Sequence, residues 1–464
     1  MEAGMKKINE IVTAQRTFFD SGATKLIEFR LHQLATLRKA LKTYGNRIIE
    51  ALDKDFKKPK YETIATEIAV TIYEIDHVAK HLKKWAKPKR VKTPFVHLFS
   101  QSFIYPEPYG VALIIGAWNY PINLVLNPLI GAIAAGNCAV IKPAYTAQES
   151  SKVLYDMILE FFPEEYIAVA QKYPGVYDEI LNQKFDYIFF TGSTDVGKTT
   201  MQAAAKHLTP VTLELGGKSP AIVYKDADVD VSARRILWGK CINAGQTCIA
   251  PDYALVHTSK VNEFIEAAKK YIAQFYGNDV QQSPDFARII DTVQFERLER
   301  MLKNCTIVAG GQTHKDERFI APTILTNISL DHPSMQEEIF GPILPVLEFN
   351  TIEEAISIVK KFHKPLALYL FTKEKKIWKK VIEEVSFGGG CINETISHYV
   401  SPYLPFGGVG YSGIGQYHGK ASFDTFTHYK GVLKKPFWID TFLRYPPYNK
   451  GKVSFIKRYF RFSL

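Results

Sequence analysis

An α/β fold with two open parallel sheets is what the sequence predicts, on three observations. Apolar runs of strand length alternate with segments of helical periodicity. The alternation pauses at Glu214 and begins again after it. The 464 residues are too many for one ordinary domain and enough for two or three sizeable cores. Strands alternating with helices imply right-handed βαβ crossovers, and so a parallel sheet covered on both faces.

Residues 7–86 carry apolar positions at helical spacing among many charges, as in Ile27–Leu37 and Ile64–Ile75, and read as several amphipathic helices. Residues 87–108 turn Pro-rich and β-leaning, an excursion between elements. Val111–Ala117 reads as a buried strand and Leu124–Ala135 as an apolar helix ending at Gly136-Asn137. Cys138–Ile141, Tyr166–Gln171 and Tyr187–Thr191 follow as strands, with helices at Glu149–Phe161 and Val176–Leu181. After Glu214, the segments Ala221–Val223, Tyr253–Val256, Ile307–Ala309 and Leu366–Phe371 suit strands. Val261–Tyr276, Phe295–Lys303 and Ile352–Phe362 suit helices. Two α/β units of about 200 residues each are the economical division. Tyr399–Leu464, rich in Gly, Pro and aromatics, fits neither unit, and no internal repeat is evident.

The composition, 46% hydrophobic and 23% charged, is that of a globular chain. The net charge of +11 comes from 58 Lys+Arg against 47 Asp+Glu, with basic clusters at Lys83–Lys92 and in the C-terminal stretch. No arginine-rich run, Cys/His finger or RNP-like aromatic block accompanies them, so nucleic acid is not the expected partner. Solvated faces and attraction for an anionic cofactor explain the surplus better. Five cysteines, odd in number and without a CxxC pair, argue against a disulfide framework or a metal site. The amino terminus lacks the apolar core of a secretory signal, and no apolar run of about 18 residues appears. A soluble, cytoplasmic, reduced protein is expected.

Gly192-Ser-Thr-Asp-Val-Gly197-Lys198-Thr199 matches the nucleotide-loop pattern GxxxxGK[ST] and follows an apolar strand. A P-loop NTPase also needs an Asp closing a second apolar strand, to complete a magnesium site. The candidates, Asp226 and Asp440, sit in an interrupted strand and in the irregular tail. The simpler reading is a glycine-rich turn that opens a helix, its N-terminal amides facing a pyrophosphate.

Four segments together carry residues suited to a reaction centre. Asn243-Ala-Gly-Gln-Thr-Cys248 places a cysteine in a small, turn-forming setting where a thiolate can be exposed. Val211-Thr-Leu-Glu214-Leu-Gly-Gly sets a carboxylate at the end of an apolar strand, where simple solvation is uncomfortable. Ala117-Trp-Asn119-Tyr-Pro puts an amide donor at another strand end, and Glu337-Glu338-Ile-Phe340-Gly-Pro supplies an acid beside an aromatic and a turn. Taken singly, each has a bland alternative: a buried thiol, a capping acid, a helix-cap asparagine, a surface loop.

Together these strings resemble the signatures of the aldehyde dehydrogenase superfamily over nearly the whole chain. Leu404–Gly419, Ser422–His428 and Arg444–Tyr448 resemble its class 3, fatty-aldehyde branch in particular. The resemblance implies two Rossmann-like open-sheet domains, for cofactor and for catalysis, with a small β-rich bridging element. The implied division is 1–86 and 109–213 for NAD(P) binding, 214–396 for catalysis, 87–108 and 397–430 for bridging and oligomerisation, and 431–464 as a tail.

The resemblance also implies a mechanism. Cys248 attacks the aldehyde to give a thiohemiacetal, held by the Asn119 amide and the Cys248 N–H. Hydride leaves for NAD or NADP, and Glu214 activates the water that hydrolyses the thioester. It places Lys142 on the adenosine ribose, Gly192, Ser193 and Gly197 near the pyrophosphate, Glu338 on the nicotinamide ribose and Phe340 near its ring. Many members carry Glu three residues after the equivalent of Lys142; here Tyr145 stands there, which removes a repulsion for a 2′-phosphate and leaves NADP open. A CoA-acylating relative is the main alternative, disfavoured because those enzymes usually lack a base like Glu214. Homodimers are usual in the class 3 branch. Lys452–Phe462, aromatic and basic, is too short to span a bilayer but suits peripheral membrane contact.

Overall fold

A computed structural model of the chain describes residues 7–440 and 442–461. Residues 1–6 of the amino terminus and Phe462–Leu464 of the tail discussed above lie outside the described residues. The chain divides into two compact units, one of residues 1–86 and 108–428, the other of 87–107 and 429–464.

Strands are numbered in chain order: β1 (Lys89–Val91), β2 (Gln101–Pro108), β3 (Val111–Ile115), β4 (Cys138–Lys142), β5 (Ile167–Val169), β6 (Tyr187–Thr191), β7 (Val211–Glu214), β8 (Pro220–Val223) and β9 (Tyr253–His257). There follow β10 (Thr306–Ala309), β11 (Thr313–His314), β12 (Phe319–Ile320), β13 (Thr323–Thr326), β14 (Ile343–Phe349), β15 (Ala367–Phe371), β16 (Gly389–Ile392), β17 (Gly413–Ile414) and β18 (Thr427–Lys434).

The first unit holds two open sheets. One has six strands in the order β17-β7-β6-β3-β4-β5, parallel except for β17. The other has seven in the order β10-β13-β14-β9-β8-β15-β16, parallel except at the β10–β13 pair. Buried parallel strands need apolar residues on both faces, and β3, β6, β8 and β15 are buried at every position. The helix Asn123–Ala135 is likewise buried all round, and Gly136 ends it in the left-handed conformation at φ 96°.

The expected strand at Val111–Ala117 stops at Ile115. A Cβ on Gly116 would press into Val125, so the chain leaves the sheet where that helix begins. The strand β14 was not foreseen. Its Pro345 speaks against a central strand, yet it pairs in parallel with β13 and β9. The helices at the amino terminus, Ile8–Asp20, Ile27–Thr43, Gly45–Phe56 and Val70–Trp85, match the expected amphipathic pattern. Between the last two, Ile64–Ala69 winds as a π-helix.

The second unit contains the three-stranded sheet β1-β2-β18 and the helix Lys450–Phe460. Residues 87–108, expected to lean towards β, supply two of those strands.

Candidate active site

In an open parallel sheet the carboxyl ends of the strands leave a crevice where the strand order reverses. In the six-stranded sheet that point lies between β3 and β6: the chain runs outward through β4 and β5, then returns to continue through β6 and β7. Asn119 lies on the loop after β3, Lys142 is the last residue of β4, Gly192 and Ser193 follow β6, and Glu214 is the last residue of β7. Cys248 arrives on the loop before β9, and Glu338 and Phe340 on the loop before β14. These eight residues line one cleft of about 780 Å³. Gly197 does not line it; it sits in the helix Thr194–Ala205, where a Cβ would press on Leu215.

The loop that presents Cys248 is bent by three successive residues with positive φ: Asn243 (53°), Ala244 (51°) and Gly245 (76°). For Asn243 and Ala244 this conformation costs about 1–3 kcal/mol each and persists only where the surroundings over-determine it. They do so here. Glu62 Oε2 accepts from the Asn243 N–H at 2.9 Å, and Asn243 Nδ2 donates to the Asn119 carbonyl at 2.9 Å. Gln246 Nε2 donates to the carbonyls of Asn243 and Arg288, while its Oε1 accepts from the Ile290 N–H at 2.9 Å. Both neighbours of Cys248 are anchored as well. The Thr247 hydroxyl shares a 2.7 Å hydrogen bond with Tyr120, and Tyr369 Oη donates to the Ile249 carbonyl at 2.6 Å. Asn119 Nδ2 donates to the Gln246 carbonyl at 3.1 Å, which orients its amide beside the same loop.

Electrostatics set the resting state. Glu214 is 2% exposed, neither of its oxygens has a hydrogen-bond partner, and burial holds its carboxyl well above the usual range. Burial likewise raises the Cys248 thiol, with the carboxyls of Glu338 and Glu214 adding to the effect and the N–H groups of Cys248 and Ile249 opposing it. Glu338 is pushed up to about 8 by burial and by Asp252, against a hydrogen bond from the Gly217 N–H. A Cβ on Gly216 would overlap the Glu338 carboxyl, so the paired glycines allow that close approach.

At the far end of the cleft, the Lys142 ammonium lies 4.7 Å from the Tyr145 ring centre and 5.4 Å from that of Tyr177. Tyr145 Oη donates to the carbonyls of Ala170 and Gln171, which fixes its ring. Burial lowers Lys142 to about 8. A half-buried cation flanked by aromatic rings suits an anionic ligand. Nearby, the helix Thr194–Ala205 begins directly after Ser193, so Gly197, Lys198 and Thr199 lie in its first turns. Lys198 pairs with Asp195 at 3.3 Å and Thr199 Oγ1 donates to the Asp195 carbonyl. A P-loop would turn that lysine and threonine towards phosphate; here the helix N-terminus itself faces the cleft.

A second cavity, of about 440 Å³, reaches Cys248 from the other side. Its walls are mainly apolar, among them Val70, Trp238, Phe275 and Ile396. The supports beneath it are long-range and were not legible as site residues. Lys58 and Glu67 form a 3.1 Å ion pair with both side chains fully buried. Glu67 Oε2 accepts from the N–H groups of Ile122 and Asn123, and the Lys58 ammonium lies 4.0 Å from the Tyr120 ring centre. Glu62 and Glu67 fall within residues 7–86, which read as amphipathic helices, and no local signal in the sequence marks either acid as buried or paired.

The family model for the aldehyde dehydrogenase family matches residues 1–432. The chain belongs to the aldehyde dehydrogenase family. Among similar proteins is the 4,4′-diaponeurosporen-aldehyde dehydrogenase of Staphylococcus aureus, 48% identical over 96% of this chain and 97% of that one. Aldehyde dehydrogenase family 3 member A2 of Mus musculus is 44% identical over 95% of this chain and 92% of its own. The dimeric NADP-preferring aldehyde dehydrogenase of Rattus norvegicus is 44% identical over 96% and 98%. A solved structure, the substrate-bound state of Staphylococcus aureus AldH, superposes with a TM-score of 0.96 at 47% identity, covering 98% of this chain and all of that one. This aldehyde dehydrogenase is thus of the class 3 type, with the family's Rossmann-like α/β architecture, and oxidises an aldehyde with NAD or NADP.

Proposed function

We propose that this aldehyde dehydrogenase makes the carboxylic acid through a thioester on Cys248, with Glu214 as the hydrolytic base. The observation that supports this most is that two unlike cavities, a larger cleft that carries Lys142, Glu214 and Glu338 and a more apolar channel, meet at one thiol. The cleft suits a dinucleotide: Lys142 offers a cation at one end, Gly216 leaves room for Glu338 near the other, and the helix after Ser193 presents free N–H groups between. Lys142, Glu338, Phe340, the Gly192-Ser193 turn and the first residues of the helix Thr194–Ala205 would hold it, without Gly197. The bound cofactor supplies the hydride acceptor.

The protein's own residues do the rest. Cys248, once deprotonated to the thiolate, bonds through sulfur to the aldehyde carbon, the C=O π bond gives way to an oxyanion, and that oxygen is met by the Asn119 amide and the Cys248 N–H. Losing one such donor typically costs about 10²–10³ in rate. After oxidation the acyl group stays on sulfur. Glu214 takes a proton from water, the water oxygen bonds to the acyl carbon, and the C–S bond breaks to return the thiolate. The apolar channel favours medium- or long-chain aliphatic or aromatic aldehydes.

In this reading residues 1–86 and 109–213 serve cofactor binding, 214–396 catalysis, and 87–108 with 397–430 the bridging of two subunits. The dimeric relative supports a homodimer. The protein works in the cytoplasm, with its tail, residues 431–464, able to touch membrane peripherally. Among the described residues no helix is long and apolar enough to cross a membrane. The helix Lys450–Phe460 exposes Phe455, Ile456 and Phe460 beside Lys457 and Arg458, a composition that suits an interface.

The direct test is aldehyde-dependent NAD(P)H formation across an aldehyde panel. Activity is expected to vanish in Cys248→Ala, and undiminished turnover in that variant would refute the mechanism.

A further inference from the structure

Among the described residues, the acidic and basic side chains that line the apolar channel are all acids. Its lining includes two ionisable acids, Glu62 and Asp285, and neither lysine nor arginine. That is unexpected in a chain with a net charge of +11. Glu62 is held in place by the hydrogen bond from the Asn243 N–H, so its carboxyl stays against the channel rather than swinging into solvent. Burial raises the Glu62 carboxyl to about 7 against the opposing pull of the Lys58 ammonium, whose ion pair is made to Glu67, so Glu62 gains its negative charge as pH rises through neutrality. Asp285 is exposed and stands on the same channel. Among the described residues, the acidic and basic side chains that line this apolar passage are thus the two acids alone, and Glu62 adds its negative charge as pH rises through about 7.

We infer that the channel selects substrates by charge: it rejects aldehydes that carry a carboxylate at the far end and admits neutral or cationic ones. The inference rests on the aldehyde-oxidising reading of Cys248. Two effects act on an anionic far end. Any charge loses hydration on entering an apolar cavity, and a negative one also meets like charges in a setting where solvent screens poorly. A cationic end suffers the first effect and is relieved by the second. Sign, not charge itself, is what the two acids discriminate.

The test compares kcat/KM for three matched series of rising chain length: unbranched aldehydes, their ω-carboxylate analogues and their ω-trimethylammonium analogues. The neutral series, with Cys248→Ala as control, reports on the aldehyde-oxidising reading alone. If no neutral aldehyde is turned over through Cys248, that reading fails and the channel is not at issue. Where it holds, the carboxylates are expected to fall at least about 100-fold below the neutral series, chiefly through KM, and the cations to fall less than the carboxylates. Glu62→Gln, which keeps an acceptor for the Asn243 N–H, combined with Asp285→Asn, is expected to raise the carboxylate-to-neutral ratio about tenfold or more. Because the double variant can lose stability, the wild-type ratio is also measured against salt, and should rise as screening increases. Equal rejection of carboxylates and cations, or ratios unmoved by both the substitutions and salt, would overturn the inference and leave apolarity as the only filter.

Discussion

Glu214 is a carboxyl with no hydrogen-bond partner at either oxygen, ending a buried strand. Burial raises its pKa, which disfavours the carboxylate that the proposed base needs. Activity limited by hydrolysis is therefore expected to grow as pH rises through the raised pKa and to be lost below it. In Glu214→Gln that limb should disappear. Rapid mixing should then show a single burst of NAD(P)H followed by turnover slower by about 10²–10⁴. Linear progress at the wild-type rate would remove Glu214 from the mechanism. Tyr145 supports a second expectation. It packs beside Lys142 and its own hydroxyl is directed at backbone carbonyls, so no carboxylate stands beside the cation that is proposed to meet the adenosine ribose. The NADP/NAD ratio of kcat/KM should stay above about 0.01, a gap of less than about 3 kcal/mol. Tyr145→Glu should lower it about tenfold or more. A wild-type ratio below that bound would mean that the tyrosine does not decide the matter.

At the level of elements, the loop 243–245 shows what it costs to present a thiol. Gly245 has φ 76°, and a Cβ there would overlap the Gly341 carbonyl. Gly245→Ala should destabilise the fold by at least about 1–3 kcal/mol, read as a lower melting temperature, and an unchanged melting curve would show that the loop is not constrained as described. The same loop marks the boundary of what the sequence made legible. Asn243-Ala-Gly-Gln-Thr-Cys248 pointed to a turn because small residues and glycine permit one. The strands β3, β6 and β15 were legible because burial on both faces leaves unbroken apolar runs. Asn119, Lys142, Gly192, Ser193 and Glu214 gathered because each followed or ended such a strand, whereas Cys248, Glu338 and Phe340 reach the cleft on loops that precede β9 and β14. What stayed hidden were the groups that hold the loop from afar. Glu62 reaches Asn243 across 181 positions, and Glu67 reaches Asn123 across 56; no periodicity records such a pairing. A buried ion pair such as Lys58–Glu67 looks, in one dimension, like two solvated charges. Strand β14 was masked by Pro345 and β16 by its glycines, since both weaken the local signal while the sheet supplies the order.

For the molecule as a whole, the second unit leaves much apolar surface in water, with Val432, Leu433, Phe437 and Trp438 all exposed. Exposed apolar groups in such number mark a surface that meets something. Sedimentation is expected to give a dimer, and flotation with anionic liposomes should carry the full chain but not one ending near Pro447. Equal flotation of both chains would remove the membrane role of the helix Lys450–Phe460, and a monomer at micromolar concentration would remove the dimer.

The pairing of β17 with β7 has a consequence for how the protein is made. Residues 211–214 form a strand whose outer edge is covered only by Gly413–Ile414, about two hundred positions later in the chain. On the ribosome the strand bearing Glu214 therefore emerges long before its neighbour. Until the last tenth or so of the chain has been translated, the first sheet keeps one open edge, a template for unwanted pairing. The edge strand that bears Glu214 therefore waits for its partner until the last part of the chain has been made.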